Sequence, residues 1–150
     1  MTNASFPSSP NIRVSSHPLF LEKLSLLRDR SLSPSAVRLL VSQMTSIIAV
    51  EATSIQNQLS PVATEGSKTA LIVVLRSGLA MADPFLAQLE TEENRVVTYH
   101  LGLFREKKTL EPVEYYNKLP AKDERIRHAY IVDPLIATGG TAAATIAILQ

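Results

Sequence analysis

The stretch AYIVDPLIATGGTAAAT, residues Ala129–Thr145, decides the fold of this chain. It begins with an apolar run that ends at Asp133, continues through a loop with two adjacent glycines, and closes on an alanine-rich segment that favours a helix. A strand, a glycine loop and a helix in this order commonly form an anion site, because free N–H groups and the positive end of the helix dipole face one point. A phosphate loop and an ordinary strand–helix corner of an α/β domain both fit this pattern.

The glycine loop differs from the two common phosphate loops. It lacks the lysine of GxxxxGK[ST] and the spacing of GxGxxG, which disfavours a nucleotide hydrolase and a dinucleotide-binding fold. Gly139 and Gly140 allow the backbone to approach an oxygen closely, and Thr138 and Thr141 add hydroxyl donors.

An unbroken apolar run, Thr69–Leu75, predicts a strand that is buried on both faces of a parallel sheet. Arg76 follows it directly, at the carboxyl end where open α/β sheets place ligand groups. Ser77-Gly78 comes next and would leave backbone N–H groups free beside the arginine. The alternative is that Arg76 caps the following helix or pairs with Asp83.

A second strand is predicted over residues 95–104, with Arg105 just past its end. Two arginines at the ends of neighbouring strands suit an anionic ligand, because guanidinium forks match pyrophosphate oxygens and stay charged. A solvated surface pair between Arg105 and Glu106 is the alternative.

Helices are predicted before and between these strands. His17-Pro18 and Ser33-Pro34 are helix starts, the second with Ser33 as N-cap, and His17 is better explained as a helix-start residue than as a ligand. Apolar residues at a 3.6 period then indicate a long amphipathic helix. Pro84 is expected to delay the regular part of the helix after Arg76.

The remaining segments are connecting or peripheral. Residues 1–16 are expected to form a disordered tail, and residues 56–68 a polar linker. Residues 107–120 are too irregular for a helix and predict a protruding hairpin arm, whose two tyrosines either pack at a subunit contact or close over the site. Residues 123–127 are interpreted as a solvated charge run that precedes the strand leading to Asp133.

Composition narrows the class of protein. The chain has 150 residues, a net charge of +1 and no cysteine, which predicts one domain without a disulfide scaffold, a thiolate metal site or a cysteine nucleophile. The near-neutral charge disfavours a broad nucleic-acid face. Neither a long apolar run nor a basic-then-apolar leader is evident, so a cytoplasmic protein that binds no membrane is expected.

The sequence resembles the phosphoribosyltransferases. VDPLIATGGT, residues 132–141, is similar to their loop for phosphoribosyl diphosphate (PRPP), and its Asp-Pro-x-x-Ala-Thr-Gly-Gly-Ser/Thr form resembles uracil phosphoribosyltransferase in particular. The likeness continues upstream in the family's order, at these motifs: His17-Pro18-Leu19, Lys23-Leu24, Leu27-Arg28-Asp29, Glu51-Ala52-Thr53, LRSGLAM (75–81), GLFREKKTLEPVEYYNKLP (102–120) and Asp123-Glu124-Arg125. It implies an α/β fold with a mainly parallel sheet of the type I phosphoribosyltransferase kind, N-terminal helices and a protruding hairpin arm.

The resemblance also implies an activity, the transfer of the phosphoribosyl group of PRPP to uracil, giving UMP and pyrophosphate. Thr138–Thr141 would hold the 5-phosphate, Asp133 would be the catalytic residue that accepts from the ribose hydroxyls, and Arg76 and Arg105 would bind pyrophosphate. The PRPP-binding residues would be Arg76, Arg105, Asp133, Pro134, Leu135, Ile136, Ala137, Thr138, Gly139, Gly140 and Thr141. A homo-oligomer is expected for the complete enzyme.

The resemblance implies Mg²⁺ as a cofactor, but Asp133 alone is weak sequence evidence for a metal site. Many phosphoribosyltransferases carry two adjacent acids at the loop start, whereas Pro134 takes the second place here. Metal could still reach the ligand through pyrophosphate and water, because Mg²⁺ keeps several waters and few protein ligands.

The predicted helix after the loop keeps its apolar period to Gln150 without a stop signal. Relatives continue further and grip uracil there, so residues 17–150 are expected to be a partial phosphoribosyltransferase domain, C-terminally incomplete, with no uracil-binding residue. Two alternatives remain open, a PRPP-sensing RNA-binding regulator and an inactive fragment of the enzyme. The near-neutral charge disfavours the regulator.

Overall fold

The computed structural model describes residues 12–59, 66–90, 96–106, 112–120 and 123–150, with the backbone alone at residues 56–59, 105 and 112. In chain order the elements are α1 (Pro18–Leu27), α2 (Pro34–Leu59), β1 (Lys68–Leu75), α3 (Leu79–Leu89), β2 (Val96–Arg105), β3 (Pro112–Asn117), β4 (Ile126–Val132) and α4 (Gly140–Leu149). The predicted α/β class is confirmed.

The sheet has the strand order β3-β2-β1-β4. Strand β1 runs parallel to both of its neighbours, β2 and β4, and β3 pairs antiparallel with β2. Residues 70–74 of β1 are all buried, so the apolar run forms the doubly covered central strand that was predicted.

The two faces of β1 belong to different cores. Leu71 and Val73 pack in a cluster with Phe85 of α3 and Ala49 of α2. On the opposite face Ala70 and Ile72 cluster with Leu101, against Ile148 and Leu149 of α4. Because successive side chains of a strand point to opposite faces, one apolar run supports both layers.

Side chains cap the first two helices. The His17 Nδ1 accepts a hydrogen bond from the Leu19 N–H (3.2 Å), and the Ser33 Oγ accepts one from the Ala36 N–H (3.2 Å). Both helices have proline in the first helical position, which needs no N–H donor there. The predicted starts of α1 and α2 are therefore confirmed, and His17 acts as an N-cap.

Helix α3 corrects one expectation. It begins at Leu79 and contains Pro84 in its interior, so proline does not delay the helix. The turn before it determines the start, since the N–H groups of Leu79, Ala80 and Met81 bond to carbonyls three residues earlier.

Strand β4 is longer than predicted and only partly buried. It starts at Ile126, inside the supposed charge run, and its side chains alternate until Val132, which is buried. Ile131 is 37% exposed although it pairs with the buried Ile72, because β4 lies at the edge of the described sheet. Ahead of this strand the Arg125 side chain donates two hydrogen bonds to Asp123 (both 2.9 Å), which lowers the pKa of that carboxyl to about 2.

Strands β2 and β3 form the antiparallel arm that the sequence indicated, while residues 107–111 lie outside the described part. Gly102 faces Tyr116 in the ladder, and an added Cβ there would lie 2.7 Å from the Tyr115 Cζ. Tyr115 and Tyr116 stay 52% and 41% exposed, and the Tyr115 ring lies 6.2 Å from that of Phe104.

The N-terminal tail and the polar linker are only partly described. Residues 1–11 and 60–65 lie outside the described ranges. Within the expected tail, the Ser15 Oγ donates to the Glu51 Oε1 (2.8 Å), a contact between this segment and α2. The boundary at residue 17 stays a prediction.

One described helix segment, Pro34–Ile55 of α2, is long and apolar enough to cross a membrane by length and composition. Met44, Thr45 and Ala49 of this segment are buried within the protein. Core helices pass the same test, so no membrane association is inferred from it.

Candidate functional site

The carboxyl ends of β1 and β4 place the predicted site residues side by side. Val73 pairs with Val132, so Asp133 follows β4 at the level of Val74, and Arg76 follows β1 at the same edge. Parallel strands lie about 4.8 Å apart, which puts the two loops next to each other although they are far apart in sequence.

A small cavity of about 170 Å³ lies within the loop after β4. Seven residues line it: Asp133, Leu135, Ile136, Ala137, Gly139, Thr141 and Ala142. Ligand pockets usually measure about 300–1,000 Å³, so this cavity matches one anionic group rather than a whole nucleotide precursor. Six of the seven were predicted, and Ala142 was missed because its methyl group gives no chemical signal.

The N-terminus of α4 opens beside this cavity. No side chain caps the helix, in contrast to α1 and α2, and its first backbone bond joins the Ala143 N–H to the Gly139 carbonyl (2.8 Å). Gly139 has φ +79°, a left-handed conformation, and a Cβ there would meet no protein atom within 4 Å. The N–H groups of the helix residues before Ala143 and the positive end of the helix dipole are thus available to a ligand.

Asp133 is held by a residue of the other loop. The Ser77 hydroxyl donates to the Asp133 Oδ1 (3.0 Å), and the Leu135 N–H donates to the same oxygen at 3.4 Å. In the described part of the chain, Oδ2 accepts no hydrogen bond. The sequence drew attention to Ser77 only through its backbone, because a serine 56 positions away carries no local sign of this contact.

Gly78 explains why these loops can touch. A Cβ on this residue would lie 2.6 Å from the carbonyl oxygens of both Val74 and Val132. The Gly78 N–H also donates to the Val74 carbonyl (2.9 Å). Hydrogen in place of a side chain lets the end of β1 turn directly against the end of β4.

Arg76 is exposed and directly follows β1. Among the described residues it makes no ion pair, with Asp83 or any other acid, and its guanidinium makes no hydrogen bond. The alternative role as the partner of Asp83 is therefore not observed. Its carbonyl does accept from the Leu79 N–H (3.2 Å), so the backbone, not the side chain, takes part in the turn that starts α3.

Arg105 is the last residue of β2 rather than the residue after it, because the antiparallel pairing with Pro112 extends the strand. Leu75 pairs with Gly102, which places Arg105 two residues further along than Arg76. At about 3.3 Å per residue this is an offset of about 6.6 Å. The Arg105 side chain, and with it the alternative pair with Glu106, lies outside the described part.

A protein cage for a metal ion is not found in the described ranges, where no group of three or more histidine and acidic residues comes together. At the cavity the acidic side chain is that of Asp133.

Comparison with known proteins gives the family. The family model for uracil phosphoribosyltransferase matches residues 14–150. A Schizosaccharomyces pombe protein provisionally named a uracil phosphoribosyltransferase is 44% identical over 140 residues, 93% of this chain and 62% of that protein. The uracil phosphoribosyltransferase of Roseiflexus castenholzii is 37% identical over 147 residues, 91% of this chain and 68% of the relative.

A solved structure, that of the AQ2163 protein from Aquifex aeolicus, shares the fold. It superposes with a TM-score of 0.72 at 23% identity and covers 91% of this chain and 68% of its own. This chain thus spans less than two thirds of the yeast relative and slightly more than two thirds of the others. On the family match and these identities, the chain belongs to the uracil phosphoribosyltransferase family.

Proposed function

We propose that the chain binds PRPP at the shared edge of β1 and β4 as part of an enzyme that transfers the phosphoribosyl group to uracil. The observation that carries the proposal is the uncapped N-terminus of α4, which opens on the cavity beside Asp133. Family membership supplies the substrate class, and the geometry supplies a site whose charges suit it.

In this proposal a different set of residues binds each part of PRPP. Backbone N–H groups and hydroxyls of Thr138–Thr141 hold the 5-phosphate, where the helix dipole favours negative charge. Asp133 accepts from the ribose hydroxyls, with Oδ2 as the oxygen that makes no bond to described residues. Arg76 and Arg105 bind the pyrophosphate, and Pro134–Ala137 complete the loop.

The reaction asks little covalent chemistry of the protein. The bond between ribose C1 and pyrophosphate breaks early, and its electron pair leaves with the pyrophosphate. Uracil N1 loses its proton as it bonds to C1 from the opposite face. Catalysis is then positioning and charge stabilisation, which fits a chain that has no cysteine nucleophile.

Mg²⁺ would bind at this site together with the substrate. Mg²⁺ binds few carboxylates and keeps several waters, so pyrophosphate oxygens and water would hold it without a protein cage. The described residues, with Asp133 as the carboxylate at the cavity, agree with that arrangement. No residue of this chain is assigned to uracil.

A homo-oligomer is part of the proposal. The arm carries exposed apolar side chains that a second copy would cover: Phe104, Val113, Tyr115 and Tyr116 are 38–52% exposed. Aromatic residues are enriched in the centres of protein interfaces, which supports this face as the contact.

We expect Arg76→Ala to weaken PRPP binding by about 1.5–3 kcal/mol, because a charge-assisted bond to pyrophosphate is lost. Arg76→Lys should restore only part of it, since the planar fork is gone. Calorimetric titration with PRPP measures the change. Arg28→Ala is the matched control, because Arg28 is an exposed arginine at the C-terminal end of α1. Equal affinities for Arg76→Ala and the unaltered chain would remove Arg76 from the site.

The proposed reaction is tested with radiolabelled uracil, saturating PRPP and Mg²⁺. UMP formation that scales with protein and is lost in Asp133→Asn supports transfer at this site. PRPP binding without UMP formation would keep the PRPP site and reject uracil transfer by these 150 residues.

A further inference from the structure

The described contacts join two loops that the proposed function assigns to different parts of the substrate. Ser77 belongs to the loop after β1, beside the pyrophosphate-binding Arg76, and Asp133 belongs to the loop after β4. Their side chains meet across 56 positions of sequence at 3.0 Å. The Ser77 hydroxyl itself is not among the groups proposed to bind PRPP.

We propose that Ser77 is a positioning residue that orients the Asp133 carboxylate for the ribose hydroxyls. This inference rests on the proposed function and adds a residue to the same site. Both bonds that Asp133 accepts fall on Oδ1, from the Ser77 hydroxyl at 3.0 Å and the Leu135 N–H at 3.4 Å. They come from two different loops, and together they limit rotation of the carboxylate and leave Oδ2 for the ligand.

The Leu135 bond alone would hold the carboxylate poorly. At 3.4 Å it is beyond the usual 2.7–3.2 Å of an N–H···O bond, whereas the Ser77 bond is within hydrogen-bonding range of a hydroxyl donor. Loss of the Ser77 hydroxyl would therefore free the Asp133 side chain to rotate, and the ligand would have to order it on binding.

The backbone delivers Ser77 to this place without help from its side chain. Gly78 packs its Cα against the carbonyl of Val132, the residue before Asp133, and donates to the Val74 carbonyl. Ser77 is the neighbour of Gly78 in the chain, and Asp133 is the neighbour of Val132. The close contact between Gly78 and Val132 therefore brings the side chains of Ser77 and Asp133 together. Removing the hydroxyl should leave this packing intact.

The hydrogen bond is exposed to water in the free protein and contributes little to folding there. A bound ligand would exclude that water, and the same bond would then be stronger. A loss of ligand affinity with little loss of stability would separate this role from a purely structural one.

The test is displacement calorimetry of PRPP by ribose 5-phosphate and by pyrophosphate, on the full chain and on Ser77→Ala. We expect Ser77→Ala to weaken PRPP and ribose 5-phosphate about threefold to tenfold, with pyrophosphate changed by less than about twofold. Its melting temperature should stay within about 2 °C of the unaltered chain. Ser77→Thr, which retains the hydroxyl, should restore ribose 5-phosphate affinity.

Ser31→Ala is the matched control, because the Ser31 hydroxyl also donates to an aspartate, Asp29, at 2.8 Å, in the turn between α1 and α2. It should leave all three affinities unchanged. An unchanged PRPP affinity in Ser77→Ala overturns the inference, and so does a loss confined to pyrophosphate, which would mean direct contact. If the unaltered chain itself binds no PRPP, the proposed function fails, and that result is visible before any variant is compared.

Discussion

Gly139→Val should abolish PRPP binding while the protein still folds. A Cβ at this position meets no protein atom within 4 Å, and Gly139 lines the cavity beside Asp133, so we expect the added side chain to occupy that cavity. There it would exclude the phosphate from the N–H groups of α4. Each charge-assisted bond lost costs about 1.5–3 kcal/mol, and loss of two or more implies a fall in affinity of at least about 100-fold.

Gly139→Val also strains the backbone, which is a separate and moderate loss of folding stability. At φ +79° a residue with a Cβ is strained, which destabilises the fold by about 1–3 kcal/mol. Gly66→Val is the matched control, because Gly66 has φ +82°, also has nothing within 4 Å, and lies before β1, at the opposite end of the strand from Arg76. Both variants should lose similar stability in chemical denaturation, and Gly139→Val alone should lose PRPP binding.

The interpretation of Gly139 is contradicted by either of two results. PRPP affinity within about tenfold of the unaltered chain would place the phosphate elsewhere. Loss of binding together with a collapse of stability well beyond that of Gly66→Val would make the glycine structural.

Gly78→Ala is expected to destabilise the protein more than Gly139→Val, Ser77→Ala or Gly102→Ala. The new methyl group would lie 2.6 Å from two carbonyl oxygens and 3.0 Å from the Val74 nitrogen, all of them backbone atoms in or at the ends of paired strands. These atoms cannot rotate away, so the end of β1 must separate from β4. We expect a loss of about 3 kcal/mol or more, a fall in melting temperature of about 6–12 °C.

Gly102→Ala is the comparison variant for this prediction. An added Cβ there is also crowded, at 2.7 Å and 2.8 Å from the exposed Tyr115 ring and at 2.9 Å from the Tyr116 Cβ, but none of these three atoms is a backbone atom. A side chain can turn aside more cheaply than a strand can move, so the loss in stability should be clearly smaller. Thermal unfolding of the two variants measures the difference. An equal or larger loss for Gly102→Ala would show that the arm, not the junction of β1 and β4, is the less tolerant contact.

Local patterns predicted the elements that carry the fold. The apolar run of β1, the 3.6 period of α2 and the proline helix starts were sufficient, because each depends on residues close in sequence. The strand–loop–helix order around Asp133 likewise predicted the helix N-terminus that lies beside the cavity. Pro84 was misjudged, since the turn that precedes the helix, and not the proline, fixes the start of α3.

The exposure of β4 and the contact between Gly78 and Val132 could not be predicted from the sequence, because both arise from the tertiary structure. A strand's apolar content does not state its place in a sheet, and β4 proved to be an edge strand with alternating burial. By itself the sequence determined which segments form strands and helices and where a glycine loop joins them, since these follow from local spacing. Only the register of β1 on β4 decided that Gly78 meets Val132 and that Ser77 holds Asp133, because contacts between residues more than fifty positions apart arise from strand pairing and close packing of backbones.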